Sequence, residues 1–199
     1  REGCITSANL DTQIGFDELV KLGSMMGSGG MIILDEDNCM VDVARFYMDF
    51  IVDESCGKCT PCRIGTKRLL EMLNQITEGN GTLELLDEME KLAYYIKENS
   101  LCGLGQTAAN PFLSTYHNFK EEYIRHVVDK KCDAKVCKAL LVYTIKPELC
   151  KKCGICARGC PTYAINGTVG KDPFVIDPEL CIRCGACVLN CKFDAIVRA

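Results

Sequence analysis

The sequence predicts an α+β chain, with a run of helices followed by a small duplicated unit of short strands and helices. Three observations predict it. Apolar residues recur at helical spacing in successive stretches up to residue 128, and the composition shifts to Cys, Gly and Pro after Pro147. Within that tail, Lys146-Pro-Glu-Leu-Cys150 recurs as Asp177-Pro-Glu-Leu-Cys181, and Cys153-Gly-Ile-Cys156 as Cys184-Gly-Ala-Cys187, so the tail is a doubled half. A chain of 199 residues with 48% apolar composition has enough side chain to bury a core and to divide into small units.

Residues 1–35 hold one short helical pattern, Phe16, Leu19 and Val20, then a Gly-rich turn from Gly23 to Gly30 and the apolar run Met31 to Leu34, which reads as a buried strand. From Asp37 the period becomes helical, with Met40, Ala44, Tyr47 and Ile51 on one face and Asp35 to Asn38 as candidate caps. Thr66 to Ile76 and Leu83 to Ile96 repeat the pattern, separated by Gly79-Asn-Gly81. Pro111 to Val128 supplies a fourth helix with Pro in its first turn. Four antiparallel helices with short connections make a bundle over residues 36–128. Residues 129–146 read as a Lys- and Asp-rich linker ending in a strand from Leu140 to Ile145, and residues 147–199 as the doubled unit.

The composition excludes several classes of function. The net charge of −4 gives no basic footprint for nucleic acid. No apolar run is long enough to cross a bilayer, and the N-terminus carries neither a secretory nor a transit pattern, so direct membrane insertion is not expected and a reducing cytoplasm is. The chain opens at Arg1 and reads as a piece of a longer polypeptide. Sixteen cysteines could suggest a disulfide scaffold. Thiols at i, i+3 and i+6 converge on one metal centre, however, and cannot all find distant disulfide partners.

The tail reads Cys150-x2-Cys153-x2-Cys156-x3-Cys160-Pro161 and then Cys181-x2-Cys184-x2-Cys187-x3-Cys191, with Lys192 in the place of the proline. This is the run of bacterial two-cluster ferredoxins, in which three thiolates wrap one cluster and the fourth reaches to the other. Cys150, Cys153, Cys156 and Cys191 therefore form one [4Fe-4S] ligand set, and Cys181, Cys184, Cys187 and Cys160 the other. Two tetrahedral zinc sites would leave the duplication and the fourth cysteines unexplained. A third site begins with Cys56, Cys59 and Cys62 on a Gly/Pro loop between helices, and Cys102 in Ser100-Leu-Cys-Gly-Leu-Gly105 is the best candidate for its fourth thiolate.

Ser55-Cys-Gly-Lys-Cys-Thr-Pro-Cys-Arg-Ile-Gly65 together with Ser100 to Gly105 resembles the iron–sulfur helical domain of the NADH-binding flavoprotein subunit of respiratory complex I. With a ferredoxin tail behind it, the chain is similar to the diaphorase (beta) subunits of NAD(P)-linked [FeFe]-hydrogenases and electron-bifurcating complexes. The resemblance implies the end of a ubiquitin-like (SLBB) domain over residues 1–35, a four-helix bundle with one [4Fe-4S], and a βαββαβ-type 2[4Fe-4S] ferredoxin domain. It also implies FMN and NAD(P) in an upstream domain, because no counterpart of the family's flavin-binding Gly-rich loop lies in this sequence. The expected partners are a hydrogenase catalytic subunit, a small [2Fe-2S] subunit and ferredoxin. The function it implies is an electron relay within a larger oxidoreductase, with no catalytic residue in this chain. A complex I-like NADH dehydrogenase component and a non-redox module with structural clusters are the alternatives.

Few other residues suggest chemistry. Tyr94, Tyr95, Phe112, Tyr116, Phe119 and Tyr123 fit helix packing, His117 a structural role, and Cys4 and Cys39 isolated core or linker thiols. The segment His126-x5-Cys132-x4-Cys137 has the spacing of a structural zinc half-site. Its fourth ligand is open among His117, Cys4, Cys39 and a residue from a neighbouring protein of the complex.

Overall fold

The helical periods read over residues 37–51, 66–76 and 83–96 each become a single helix. In a computed structural model describing Gly3 to Arg198, the elements are α1 (Phe16–Lys21), α2 (Met40–Glu54), α3 (Thr66–Thr77), α4 (Leu83–Asn99), α5 (Gly103–Thr107), α6 (Asn110–Asn118) and α7 (Lys120–Ile124). They are followed by β1 (Tyr143–Ile145), α8 (Ile155–Arg158), β2 (Ile165–Asn166), β3 (Val175–Ile176), α9 (Ala186–Asn190) and β4 (Ile196–Arg198). The chain divides into two units between Leu140 and Leu141.

In the first unit α2 lies against α3 and α6. Its buried face is Met40, Val41, Ala44, Met48 and Ile51, and Tyr47 is only half-buried. Leu69, Leu73 and Ile76 of α3 and Leu86, Met89, Ala93 and Ile96 of α4 complete the core. Each of the larger side chains among them contributes roughly 1.5–3 kcal/mol by leaving water. The turn between α3 and α4 falls at Gly79, whose φ of 86° lets its own N–H reach Ile76 O while Asn80 N–H reaches Gln75 O. Thr82 then caps α4 by accepting from Leu85 N–H at 3.2 Å.

Several expectations are corrected. The cap of α2 lies just beyond the Asp35 to Asn38 window, at Cys39, whose sulfur accepts from Asp42 N–H at 3.4 Å. Met31 to Leu34 do not form a buried strand, since the backbone there is irregular and Ile33 is 86% exposed. A strand needs a neighbouring edge for its N–H and C=O groups, and among the described residues the first unit has no other strand to supply one. Phe16 and Val20 of α1 are also exposed, leaving Leu19 as that helix's buried residue.

Residues 111–128 do not form one helix. The chain breaks at Phe119 (φ −130°, ψ 38°) between α6 and α7, then widens into a π turn at Arg125–Asp129. Thr115 explains the break. Its hydroxyl bonds back to Pro111 O at 2.7 Å, a contact that bends helices, and meets Tyr123 Oη at 2.7 Å across the kink. Tyr123 thereby packs edge-on to Phe112 and Tyr116, at centroid separations of 5.9 and 5.3 Å. Tyr94 and Tyr95, by contrast, are exposed and not part of this packing. The stretch after α7 is more than a connector, because Cys132, Cys137 and Leu140 are buried in the first unit's core.

The second unit has the order β1-α8-β2-β3-α9-β4. Antiparallel β1 and β4 pair Tyr143 with Arg198 and Ile145 with Ile196, while β2 and β3 pair Ile165 with Ile176. Its core joins Leu141, Tyr143, Phe174 and Ile196 to Cys156 and Cys187. The two halves share backbone kinks as well as sequence. Lys152 and Arg183 (φ 56° and 58°), Gly154 and Gly185 (71° and 76°), and Tyr163 and Asp194 (54° and 48°) are left-handed at matching positions. Left-handed backbone at non-glycine residues is uncommon and is retained where the surrounding structure demands it.

Candidate metal centres

Both π turns of the first unit carry one of the residues singled out for metal binding. Such turns are often functional, because the extra residue re-aims the side chains around it. The first, Pro61–Gly65, holds Cys62, which is buried. Cys59 lies half-buried just before the turn, Cys56 is exposed on the preceding loop, and Cys102 is the exposed residue preceding α5. These four thiols lie close enough to interact. Burial pushes Cys62 up, and the charges of Cys59, Cys102 and Cys56 push it further. Cys59 is held below the ordinary thiol range, chiefly by the backbone N–H of Leu101, next to Cys102, with help from the Ser100 hydroxyl. The loop of residues 100–102 thus lies against Cys59, with Cys62 buried behind it and Cys56 and Cys102 exposed. Gly105 makes the closure possible, since a Cβ there would stand 2.5 Å from Ser100 Cβ and 3.3 Å from Cys62 Cβ. A quartet of thiols with backbone and hydroxyl donors aimed at sulfur fits an anionic iron–sulfur cube.

The second π turn holds His126, which is fully buried. Its Nδ1 lies 2.8 Å from the carbonyl of Glu122, an acceptor, so Nδ1 carries the proton and Nε2 presents its lone pair. That Nε2 is 3.3 Å from Cys39 Sγ and 3.4 Å from Cys137 Sγ, and the two sulfurs are 3.7 Å apart. With Cys132, all four ligand atoms lie within 4.8 Å of one another, and all four residues are buried. A tetrahedral zinc ion with ordinary Zn–S and Zn–N bonds separates its ligands by about 3.5–3.8 Å, which this quartet already approaches.

The electrostatics agree with that arrangement. Hydrogen bonds from Cys137 and Cys39 hold Cys132 far below the usual thiol range, and donating to Cys132, together with burial, keeps Cys39 and Cys137 well above it. Burial disfavours the His126 cation, but Cys132 and the Glu122 carbonyl together lift its pKa. Glu122 ties the two ligand-bearing segments together, because its carbonyl orients His126 and its carboxylate accepts Met40 N–H at 3.1 Å, next to Cys39. Cys39, read from sequence as either an isolated thiol or one of four possible partners, is the residue brought into this quartet. His117 lies elsewhere, exposed and 3.0 Å from Glu90, and Cys4 sits beside Asn118. A cysteine at a helix N-terminus was the available signal for Cys39, but nothing local ties it to a histidine 87 residues away.

In the second unit the eight cysteines line two small cavities, four in each. One has Cys150, Cys153, Cys156 and Cys191 in its walls, with Ile145, Phe174 and Ile196. The other has Cys181, Cys184, Cys187 and Cys160, with Tyr143, Ile165 and Ile176. Each wall thus takes three thiols from one half and one from the other, in a largely apolar surround. Burial raises Cys156 and Cys187. At Cys160 the same burial is outweighed by the Thr162 hydroxyl and nearby backbone N–H groups, so that thiol is lowered. Thiols this crowded in apolar cavities fit a large, soft, thiolate-bound group.

The fold and these constellations define an iron–sulfur electron-transfer chain built of two joined modules. Residues 42–126 match the NADH-ubiquinone oxidoreductase-F iron-sulfur binding region, and residues 143–192 match the 4Fe-4S dicluster domain. The chain is 56% identical to the HndC subunit of the NADP-reducing hydrogenase of Solidesulfovibrio fructosivorans over 98% of its own length and 40% of that protein's. It is 36% identical to one of the F-type subunits of NADH-quinone oxidoreductase from Rhizobium meliloti over 64% of its length and 30% of that protein's. The chain therefore spans well under half of these relatives. An NAD+-reducing [NiFe]-hydrogenase in the H2-reduced state shares the fold over 61% of this chain and 20% of that one, with a TM-score of 0.55 at 24% identity. The resemblance read from the sequence motifs stands. Among the described residues no helix is long and apolar enough to cross a membrane.

Proposed function

We propose that this chain is the electron-relaying portion of a flavin- and NAD(P)-dependent oxidoreductase of the hydrogenase-linked or electron-bifurcating kind. In this reading it holds three [4Fe-4S] clusters: one on Cys56, Cys59, Cys62 and Cys102, one on Cys150, Cys153, Cys156 and Cys191, and one on Cys181, Cys184, Cys187 and Cys160. Bound clusters would supply one-electron carriers. The chain's own residues do the rest. Backbone N–H groups and hydroxyls stabilise the thiolates, apolar side chains line the cavities of the second unit, and one buried thiol in each quartet, Cys62, Cys156 or Cys187, anchors it to the core.

The observation that carries the reading is the joining of a helical thiol quartet to a doubled ferredoxin unit whose two cavities each draw thiols from both halves. We further propose a structural zinc ion on Cys39, His126, Cys132 and Cys137. The finer fold assignments belong to the same proposal: residues 1–35 as the end of a ubiquitin-like (SLBB) domain, residues 36–128 as a four-helix bundle. So do FMN and NAD(P) in an upstream domain, a hydrogenase catalytic subunit, a small [2Fe-2S] subunit and ferredoxin as partners, and a cytoplasmic location. Iron and zinc analysis with low-temperature EPR after dithionite reduction tests the metal content. The expected result is about 12 iron atoms and one zinc per chain. A sample fully loaded in its ferredoxin unit yet holding about eight irons would remove the helical cluster.

A further inference from the structure

The hydroxyl of Ser100 is buried and closes no hydrogen bond of ordinary geometry among the described residues, although it lies near enough to Cys59 to help lower that thiol. Its position is fixed from three sides. Its N–H donates to Ile96 O at 3.1 Å, its carbonyl accepts from Gln106 Nε2 at 3.2 Å, and its side chain sits where a Cβ on Gly105 would come within 2.7 Å of Oγ. A buried hydroxyl without a partner is costly, so a group held this firmly is expected to have one when the site is complete. The same Cβ position on Gly105 is 3.3 Å from Cys62 Cβ, so the Ser100 side chain borders the thiol quartet.

A second serine faces the quartet from the other segment. Ser55 Oγ accepts the Gly57 N–H at 3.3 Å and lies 3.4 Å from Cys62 Sγ. A metal-bound Cys62 has no thiol proton, so in the loaded site the Ser55 hydroxyl is the donor and the sulfur the acceptor of this contact.

We propose that Ser55 and Ser100 are positioning residues that set the reduction potential of the helical site, donating their hydroxyl protons to its sulfur atoms. The inference rests on the reading that Cys56, Cys59, Cys62 and Cys102 hold a cluster. Reduction adds one negative charge, spread over sulfur. A donor hydrogen-bonded to sulfur therefore stabilises the reduced form more than the oxidised one and raises the potential. Ser100 has the larger effect because its hydroxyl is buried, where a hydrogen bond to charge is least weakened by water.

The test is an EPR-monitored redox titration of the intact chain and of Ser100→Ala and Ser55→Ala. Ser100→Ala is expected to shift the helical-site equilibrium toward the oxidised form by about tenfold, or about 59 mV for one electron, leaving the two ferredoxin-type signals in place. Ser55→Ala moves it the same way by less. Retained iron with an unmoved helical-site potential in both variants overturns the proposal. Should Ser100→Ala lose the cluster, proton ENDOR of the unmodified chain in H2O and D2O decides: exchangeable protons strongly coupled to the helical-site signal support it, and their absence refutes it. An unmodified chain with no helical-site signal, and only about eight irons, instead overturns the cluster reading itself and this inference with it.

Discussion

Replacing Cys39 separates two jobs held by one sulfur. Its side chain accepts Asp42 N–H at the start of α2, and it is one of four buried ligand atoms within 4.8 Å of one another. Cys39→Ala removes both, and the lost cap alone costs about 1 kcal/mol. Serine is among the best N-cap residues, so Cys39→Ser keeps the cap and discards a soft zinc ligand. Removing one ligand of four is expected to weaken zinc by at least about 100-fold, as even outer-shell changes can. At saturating metal that is about 2.7 kcal/mol of the stabilisation the ion gives the folded unit. The assay is denaturant unfolding of the intact chain followed by far-UV circular dichroism, with and without chelator, beside zinc analysis. Unmodified protein is expected to lose stability on chelation, whereas Cys39→Ser begins lower by about 2.7 kcal/mol or more and loses correspondingly less when chelator is added. A Cys39→Ser protein with full zinc content and an undiminished response to chelator would refute the four-ligand site.

Other perturbations test the remaining architecture. Cys102→Ala should abolish the helical-site EPR signal and leave the ferredoxin pair, because the quartets share no ligand; loss of all three signals from folded protein would contradict that separation. Gly65→Ala would place a Cβ 2.5 Å from Ile96 Cγ1, at the π turn behind Cys62, and should destabilise the first unit by about 1–3 kcal/mol on urea unfolding. An unchanged midpoint would show that Ile96 gives way freely. Tyr123→Phe removes the hydroxyl that meets Thr115 across the kink at Phe119 and should cost about 1 kcal/mol in the same measurement.

Much of this molecule is legible in one sequence because its chemistry is written in short spacings. The cysteine runs of the tail declare both the doubling and the exchange of fourth thiols, and the two cavities hold those same sets. The periods of α2, α3 and α4 are equally plain, since each helix buries one face. What escaped depends on distant neighbours. No Pro or Gly marks the break at Phe119, which arises from Thr115 and Tyr123 meeting across it. Met31 to Leu34 have the composition of a strand, but composition cannot supply the adjacent edge a strand requires. Cys39 looked solitary because its partners lie on a π turn and a Lys-rich stretch far along the chain. The π turns themselves have no sequence signature, although both sit where metal chemistry was expected.

The matched left-handed kinks of the second unit make each half a control for the other. With the backbone repeated at Lys152 and Arg183, and again at Tyr163 and Asp194, any difference between the two cavities must arise from the side chains laid over a common frame. Several of those differences can be named. Pro161 stands against Lys192, a neutral ring against a cation, just beyond the fourth thiol of each run. Val169 and Phe174 crowd Gly154, whereas the Tyr143 hydroxyl is the neighbour of Gly185. Exchanging such residues between halves would let one polypeptide report, within a single sample, how a charge or a hydroxyl beside a thiol cage alters it, with fold, solvent and loading held the same.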